Sequence, residues 1–203
     1  MSIIERKDRE KAEMRKLILD AAMELLIDEG YANVSIRKIA AKIEYSPGSI
    51  YTYFKDKDSI YYALHNEGFA ILYQKQLSAQ GISDPRDRLI AHGRAYIDFA
   101  LNNQQYYDIM FIMRNPEDII AKLENWDNGH RSYELLKRNV IECKAAGFFK
   151  DQDPNSIAFL LWSVVHGIAS LMIRRRTIMK EMKDIDQSSF VENTLSTLDS
   201  LIR

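Results

Sequence analysis

The stretch that decides the fold is SIRKIAAKIEYSPGSIYTYFKDKDSI, residues Ser35–Ile60. Serine is a preferred N-cap residue, and proline is favoured at the first position of a helix. Ser35 therefore predicts the start of one helix, and Ser46-Pro47 predicts the start of another about ten residues later. Two such short helices bury little apolar surface. Behind a longer helix they match the helix-turn-helix arrangement, which presents its second helix to a partner outside the protein.

The second short helix carries side chains suited to reading DNA. Only Ile50 and Phe54, four residues apart, are predicted to face the core. Lys57 follows at the start of the next predicted helix, where backbone N–H groups also favour an anion. Taken singly, each polar residue of this helix is equally consistent with packing or solvation. Taken together they favour contacts with bases and phosphates, and the positions are Gly48, Ser49, Tyr51, Thr52 and Tyr53.

The rest of the chain predicts an all-α protein of about nine helices. An apolar stripe at helical spacing marks the helix before the motif, which is expected to end at Gly30; its members are Met14, Leu17, Ile18, Ala21, Ala22, Leu25 and Leu26. Later helices are predicted to follow the caps Asp56, Asp84, Asp153 and Ser189. Three more are predicted over Gln105–Met113, Glu117–Leu123 and His130–Ala146, the last with Tyr133, Leu136, Val140, Ile141 and Cys143 inward.

Composition limits the classes of function. The chain has 203 residues, 46% hydrophobic and 28% charged, and a net charge of −1. Its basic signal is local, since residues 35–57 hold five basic against two acidic side chains. Residues 157–173 are the longest apolar stretch and polar residues interrupt them, so we expect no membrane span. A single cysteine and a charged N-terminus without an apolar signal core favour a cytoplasmic protein.

The run ILDAAMELLIDEGYANVSIRKIAAKIEYSPGSIYTYFKDKDSIYYAL resembles the DNA-binding domain of the TetR family of bacterial repressors. The resemblance covers about residues 17–64, and it implies an all-α homodimer that binds double-stranded operator DNA. Matching positions implies that Arg37, Gly48, Ser49 and Thr52 read bases and that Tyr51, Tyr53 and Lys57 contact phosphates. The remaining implied DNA contacts are Ser35, Tyr45 and Ser46. We expect a DNA-binding domain over 1–56 and an effector-binding and dimerisation domain over 57–203.

The second domain offers weaker signals. The run LLWSVVHGIASLM, residues 160–172, resembles the Trp-x-x-x-His-Gly signature of one subgroup of TetR C-terminal domains, which does not share one ligand. The aromatic residues of this half suggest an apolar or aromatic effector of unknown identity, although such residues also fill ordinary cores. The candidate effector contacts are Phe99, Phe111, Phe159, Trp162 and His166. Dimerisation is expected through the helices near residues 153–173 and 189–202.

Other functions have less support in the sequence. The four histidines show no metal-ligand spacing, and neither a phosphate-binding glycine loop nor a nucleophile motif is present, so we expect no metal, no cofactor and no enzymatic activity. Cys143 is expected to be a buried thiol rather than a redox sensor. The remaining alternative is a helical adaptor that binds proteins and not DNA.

Overall fold

Nine α-helices and no strand occur in the described ranges, residues 2–113, 127–174 and 186–202 of a computed structural model. The helices are α1 Ile3–Glu29, α2 Ile36–Lys42, α3 Pro47–Tyr51, α4 Lys57–Leu77, α5 Pro85–Asn102, α6 Gln104–Tyr107, α7 Asp127–Ala145, α8 Pro154–Ile173 and α9 Gln187–Leu201. The predicted all-α class is confirmed. The predicted helix over Glu117–Leu123 lies outside the described residues.

The chain packs into two units, and the division falls between Gly68 and Phe69, inside α4. The described part of the first unit is residues 2–68 and 105–113, and that of the second is residues 69–104, 127–174 and 186–202. The domain boundary predicted at residue 56 was placed at the end of the sequence motif and not from the packing. It stays a prediction.

The core of the first unit forms where α1, α2 and α3 meet. Its fully buried side chains include Ile18, Ala22, Ile39 and Ile50. Leu17 was predicted to face inward, but it is 41% exposed. It adjoins the fully buried Ile18 at the edge of the apolar stripe, and it is not among the residues packed into this core.

The second unit is a bundle in which α5 packs against both α7 and α8. Gly93 of α5 allows close approach, because a Cβ at this position would lie 3.3 Å from Val165 of α8. Cys143 is buried as expected, its thiol donates to the Pro85 carbonyl at 3.0 Å, and burial raises its pKa to about 11. Ile141 is 48% exposed, so its predicted inward orientation is wrong.

Cap chemistry sets most helix starts. Asp84 and Asp153 cap α5 and α8 with proline at the first position, as predicted. The last helix begins earlier than predicted, because Asp186 rather than Ser189 is its N-cap and accepts a hydrogen bond from the Ser189 N–H at 2.9 Å. The single helix predicted over Gln105–Met113 is instead α6 followed by a π-helical turn, Asp108–Ile112.

Helix α8 carries an exposed apolar face. Phe159 is 60%, Leu160 62% and Leu171 51% exposed, although Ala158, Val165 and Ala169 on the other side are buried. By length and composition alone α8 could cross a membrane, and a third of its most apolar window is buried. A surface of this kind on one helix needs a partner.

Candidate nucleic-acid interface

A tight turn joins α2 to α3. Glu44 adopts a left-handed backbone with φ 60°, and the Tyr45 N–H donates to the Ala40 carbonyl at 2.9 Å. Ser35 caps α2 by accepting from the Lys38 N–H at 3.3 Å, and Ser46 caps α3 by accepting from the Ser49 N–H at 3.2 Å. The two short helices begin where the cap pattern predicted, so local chemistry fixes their register.

Very few side chains anchor α3. Ile50 is fully buried, and Phe54, just after the helix, is 4% exposed. The Phe54 N–H donates to the Ile50 carbonyl at 3.0 Å, which places both side chains on one inward face. The outer face is therefore available along the whole helix, and this is the geometry that a helix entering a major groove requires.

Arg15 of α1 supports the residues that follow α3, a contact that the sequence did not indicate. Its guanidinium carbon lies 4.1 Å from the centre of the Phe54 ring, and its Nη1 donates to the Tyr53 carbonyl at 3.4 Å. Arg15 thus holds the backbone of a predicted phosphate-contacting residue through a cation–π contact and a hydrogen bond.

The ten predicted DNA contacts all lie in the first unit, on or next to α2 and α3. Seven of them are exposed, namely Ser35, Arg37, Tyr45, Ser46, Gly48, Tyr51 and Thr52. The other three, Ser49, Tyr53 and Lys57, are half-buried. Each of the ten DNA contacts stays a prediction.

Several of the hydroxyl groups already have intramolecular partners. Ser46 Oγ lies 3.0 Å from Ser49 Oγ, and Thr52 Oγ1 donates to the Gly48 carbonyl at 3.4 Å. Because a hydroxyl both donates and accepts, the cap at Ser46 still permits donation to a phosphate. Ser35 and Ser46 therefore have a structural role whether or not they contact DNA.

Lys57 is held in place by Tyr31. Its ammonium donates to the Tyr31 carbonyl at 2.7 Å and lies 3.9 Å from the centre of the Tyr31 ring. The Tyr31 hydroxyl in turn donates to Asp58, and burial raises the pKa of this phenol above its usual range. An ammonium has three N–H donors, so Lys57 can keep the Tyr31 contact and still donate to a phosphate.

Ion pairs reduce the local positive charge. Lys38 pairs with Glu29, and Lys42 pairs with Glu24 at 2.7 Å, both across to α1. Within the described part of the chain Arg37 and Lys55 form no ion pair. Lys57 forms none there either, so of the five basic residues in 35–57 only Lys38 and Lys42 have a described carboxylate that offsets their charge in an ion pair.

The predicted effector contacts are not all in one place. Phe159, Trp162 and His166 form an aromatic row on α8, with ring centres 6.1 and 6.2 Å apart along the row. His166 Nδ1 lies 2.9 Å from the Tyr96 hydroxyl of α5, and burial lowers the pKa of His166. Phe99 is fully buried in the same unit.

Phe111 belongs to the first unit, where its ring lies 5.4 Å from that of Tyr107. The aromatic row on α8 is thus the part of the predicted effector site whose members the structure brings together. Its spacing of three and four residues along one helix was visible in the sequence, whereas its hydrogen bond to Tyr96 was not.

Comparison with known proteins gives two family matches. Residues 18–64 match the family described as bacterial regulatory proteins, tetR family. Residues 89–198, more than half of the chain, match the family described as tetracyclin repressor-like, C-terminal domain. Neither match names a subgroup marked by the Trp-x-x-x-His-Gly run, so membership of that subgroup stays a prediction.

Individual relatives agree with these matches. The HTH-type transcriptional regulator HbdR of Aromatoleum is 26% identical over 161 residues, 77% of this chain and 69% of HbdR. An HTH-type transcriptional repressor of Mycobacterium tuberculosis is 36% identical over 56 residues, 28% of this chain and 30% of the repressor. A regulatory protein in the tetR family from Rhodococcus has a similar fold, with a TM-score of 0.71 at 21% identity, over 93% of this chain and 96% of that one.

Proposed function

Because the chain belongs to the TetR family of bacterial regulatory proteins, it is a DNA-binding transcriptional regulator, and we propose that it is a repressor released from its operator by a small apolar or aromatic molecule. Regulators of this family bind operator DNA, function as dimers and are soluble cytoplasmic proteins. The observation that supports the proposal most is the exposed outer face of α3. The helix is held by one buried residue, Ile50, and by a serine cap.

The ten predicted contacts divide into two classes with different tests. Arg37, Gly48, Ser49 and Thr52 are proposed to read base edges, so substitution alters sequence preference as well as affinity. Tyr51, Tyr53 and Lys57 are proposed to contact phosphates, which carry no sequence information directly. Ser35, Tyr45 and Ser46 complete the surface at the two helix starts and the turn.

The test is binding of variants to an operator duplex selected from a random-sequence library and to an unrelated duplex. Arg37→Ala and Ser49→Ala are expected to lose roughly 1–3 kcal/mol on the operator alone. Tyr53→Phe and Lys57→Ala are expected to weaken binding to both duplexes. Arg9→Ala, on the exposed start of α1, is the charge control. Equal losses for all four variants on both duplexes would contradict the division, and no salt-dependent binding by the wild-type chain would favour the adaptor alternative.

Dimerisation is proposed through α8 and α9. The exposed face of α8 includes Leu160, and Gly167 has open space where a Cβ would point, so another helix can approach closely. Pairing two helices from each protomer around a two-fold axis would form a four-helix bundle.

Sedimentation of Leu160→Glu at micromolar concentration tests this interface. We expect the wild type to be a dimer and the variant a monomer, because the substitution places a carboxylate in an apolar contact. Ile4→Glu is the matched control, since Ile4 is 73% exposed and lies in the other unit. A dimeric Leu160→Glu protein would place the interface elsewhere.

The proposed effector site includes Phe99, Phe159, Trp162 and His166 of the second unit, and Phe111 of the first unit stays a separate prediction. Filling such a site by an effector would lower operator affinity, and by linkage operator DNA would lower effector affinity by the same factor. Thermal shift against a panel of apolar compounds, followed by calorimetry of a hit with and without the operator duplex, measures that factor. A compound with equal affinity in both titrations would refute the coupling.

A further inference from the structure

Two buried polar side chains in the second unit are not fully hydrogen-bonded. His92 of α5 is 3% exposed and Asn139 of α7 is 0% exposed. Asn139 Nδ2 lies 3.3 Å from His92 Nδ1. Within the described part of the chain, the other polar atoms of the pair, His92 Nε2 and Asn139 Oδ1, are buried without a hydrogen-bond partner. Buried polar groups are nearly always paired, so these two atoms need an explanation.

The chemistry of the unpaired atoms follows from the contact between the two side chains. An amide nitrogen only donates, so His92 Nδ1 accepts and the ring proton is on Nε2. The two atoms without a partner are then a donor, His92 Nε2–H, and an acceptor, Asn139 Oδ1. If the amide is turned over, His92 Nδ1–H donates to the amide oxygen, which leaves the imidazole Nε2 as acceptor and the amide nitrogen as donor. Either assignment leaves one donor and one acceptor.

The surroundings are uncharged. Burial lowers the pKa of His92 to about 4, so the ring is neutral at pH 7. Arg88, one turn before His92, pairs with Glu142, which lies close to Asn139 on α7, so these two charges offset each other. The neighbouring buried side chains on both helices are apolar, namely Leu89, Leu136, Val140 and Cys143.

Two other polar groups on the same helices have partners. The Ser132 hydroxyl, two turns before Asn139 on α7, donates to Gln76 at 2.7 Å. Tyr96, one turn after His92 on α5, bonds His166 at 2.9 Å. Gln80 Nε2 and Arg88 Nε of this unit are also buried without a partner within the described residues, but both atoms only donate, whereas His92 and Asn139 combine a donor and an acceptor.

We propose that His92 and Asn139 bind the polar end of the effector, and that this end is an uncharged group that both donates and accepts, a hydroxyl or a carboxamide. A carboxylate would bring a charge into a site whose nearby cation, Arg88, is already paired with Glu142, and a pure hydrocarbon would leave both protein atoms unpaired. The inference rests on the proposed effector-controlled function and adds the chemical class of the ligand and two residues that select it.

Isosteric probes test the class. We expect benzamide and benzyl alcohol to raise the unfolding temperature of the wild-type chain and to bind in calorimetry, and benzoate and toluene to bind at least about tenfold more weakly. The double variant His92→Phe/Asn139→Leu removes both polar partners together, so it avoids leaving one of them unpaired and is expected to fold. It should bind benzamide at least about tenfold more weakly than the wild type.

The control is Gln76→Leu/Ser132→Ala, which removes another buried hydrogen bond of the same unit and should keep benzamide affinity. Benzoate binding as tightly as benzamide, equal benzamide affinity in both double variants, or no uncharged probe bound at millimolar concentration would each overturn the proposal. Operator binding by the wild-type chain is measured in parallel. If it persists while the probe results fail, the regulator function stands and this inference falls.

Discussion

Substitution of Arg15 distinguishes two roles of this residue: it can position α3, or it can contribute positive charge that contacts DNA directly. Arg15 is exposed where its guanidinium lies 4.1 Å from the centre of the Phe54 ring, and this exposure sets the contribution of the contact to stability at about 0.5–1 kcal/mol. The hydrogen bond to the Tyr53 carbonyl is long at 3.4 Å and adds about 0.5 kcal/mol at most. Arg15→Ala should therefore cost roughly 1 kcal/mol of folding stability. If the same contacts order α3 for binding, operator affinity falls about fivefold.

The assay is fluorescence anisotropy of a labelled operator duplex at several salt concentrations, with urea unfolding of the same proteins. A residue that positions α3 leaves the salt slope unchanged, whereas a direct phosphate contact reduces the slope by about one when it is removed. Arg9→Ala is the matched control, because it removes the same charge from the same helix, and Arg9 is an exposed residue that pairs with Glu13 at 3.5 Å. A normal stability with a slope reduced by one in Arg15→Ala would refute positioning and make Arg15 a phosphate contact.

Three further outcomes are expected. Ser46→Ala removes the cap of α3 and should cost about 0.5–2 kcal/mol in urea unfolding, with Ser200→Ala as control. Gly68→Ala would place a Cβ 2.4 Å from Met110 Sδ. The resulting overpacking of about 1–3 kcal/mol should outweigh the gain of roughly 1 kcal/mol in helix propensity, so the variant is expected to be less stable. In a Met110→Ala background, Gly68→Ala should no longer carry this overpacking cost. Acidification from pH 7 to 5 should lower the free energy of unfolding by about 2 kcal/mol through His92 alone. The pKa of His92 is about 4 in the folded chain and about 6.5 in the unfolded chain, so the unfolded chain binds more protons across this pH range. A urea midpoint that does not change with pH would contradict this.

Features set by neighbours in the sequence were predictable. The caps Ser46, Asp84 and Asp153 each act within three residues, and all three helices begin where the pattern placed them. The last helix was misplaced for a local reason as well. Asp186 and Ser189 are both good cap residues, and they lie three positions apart. The Asp186 carboxylate accepts a hydrogen bond from the Ser189 N–H, so the helix begins after Asp186 and not after Ser189.

Features set by distant residues were not predictable. Leu17 and Ile141 fit an apolar stripe, yet which side of a stripe is covered depends on helices that pack there from elsewhere in the chain. Arg15 and Tyr53 are 38 positions apart, and His92 and Asn139 are 47 apart. No periodicity links residues at such separations. The support of α3 by Arg15 and the buried donor–acceptor pair could therefore not be predicted from the sequence.

The energies of these contacts bear on how a regulator of this kind can switch. A coupling of about 1–3 kcal/mol between effector and operator changes affinity roughly 5- to 150-fold. The Ser46 cap and the Arg15 contact are each worth about 1 kcal/mol, and Ile50 is the only residue of α3 that is fully buried. Because so few contacts hold α3, loss of one or two of them has the magnitude that release of DNA requires. A well-buried recognition helix would demand several times more free energy from its ligand, so the sparse anchoring of α3 suits control by a small effector.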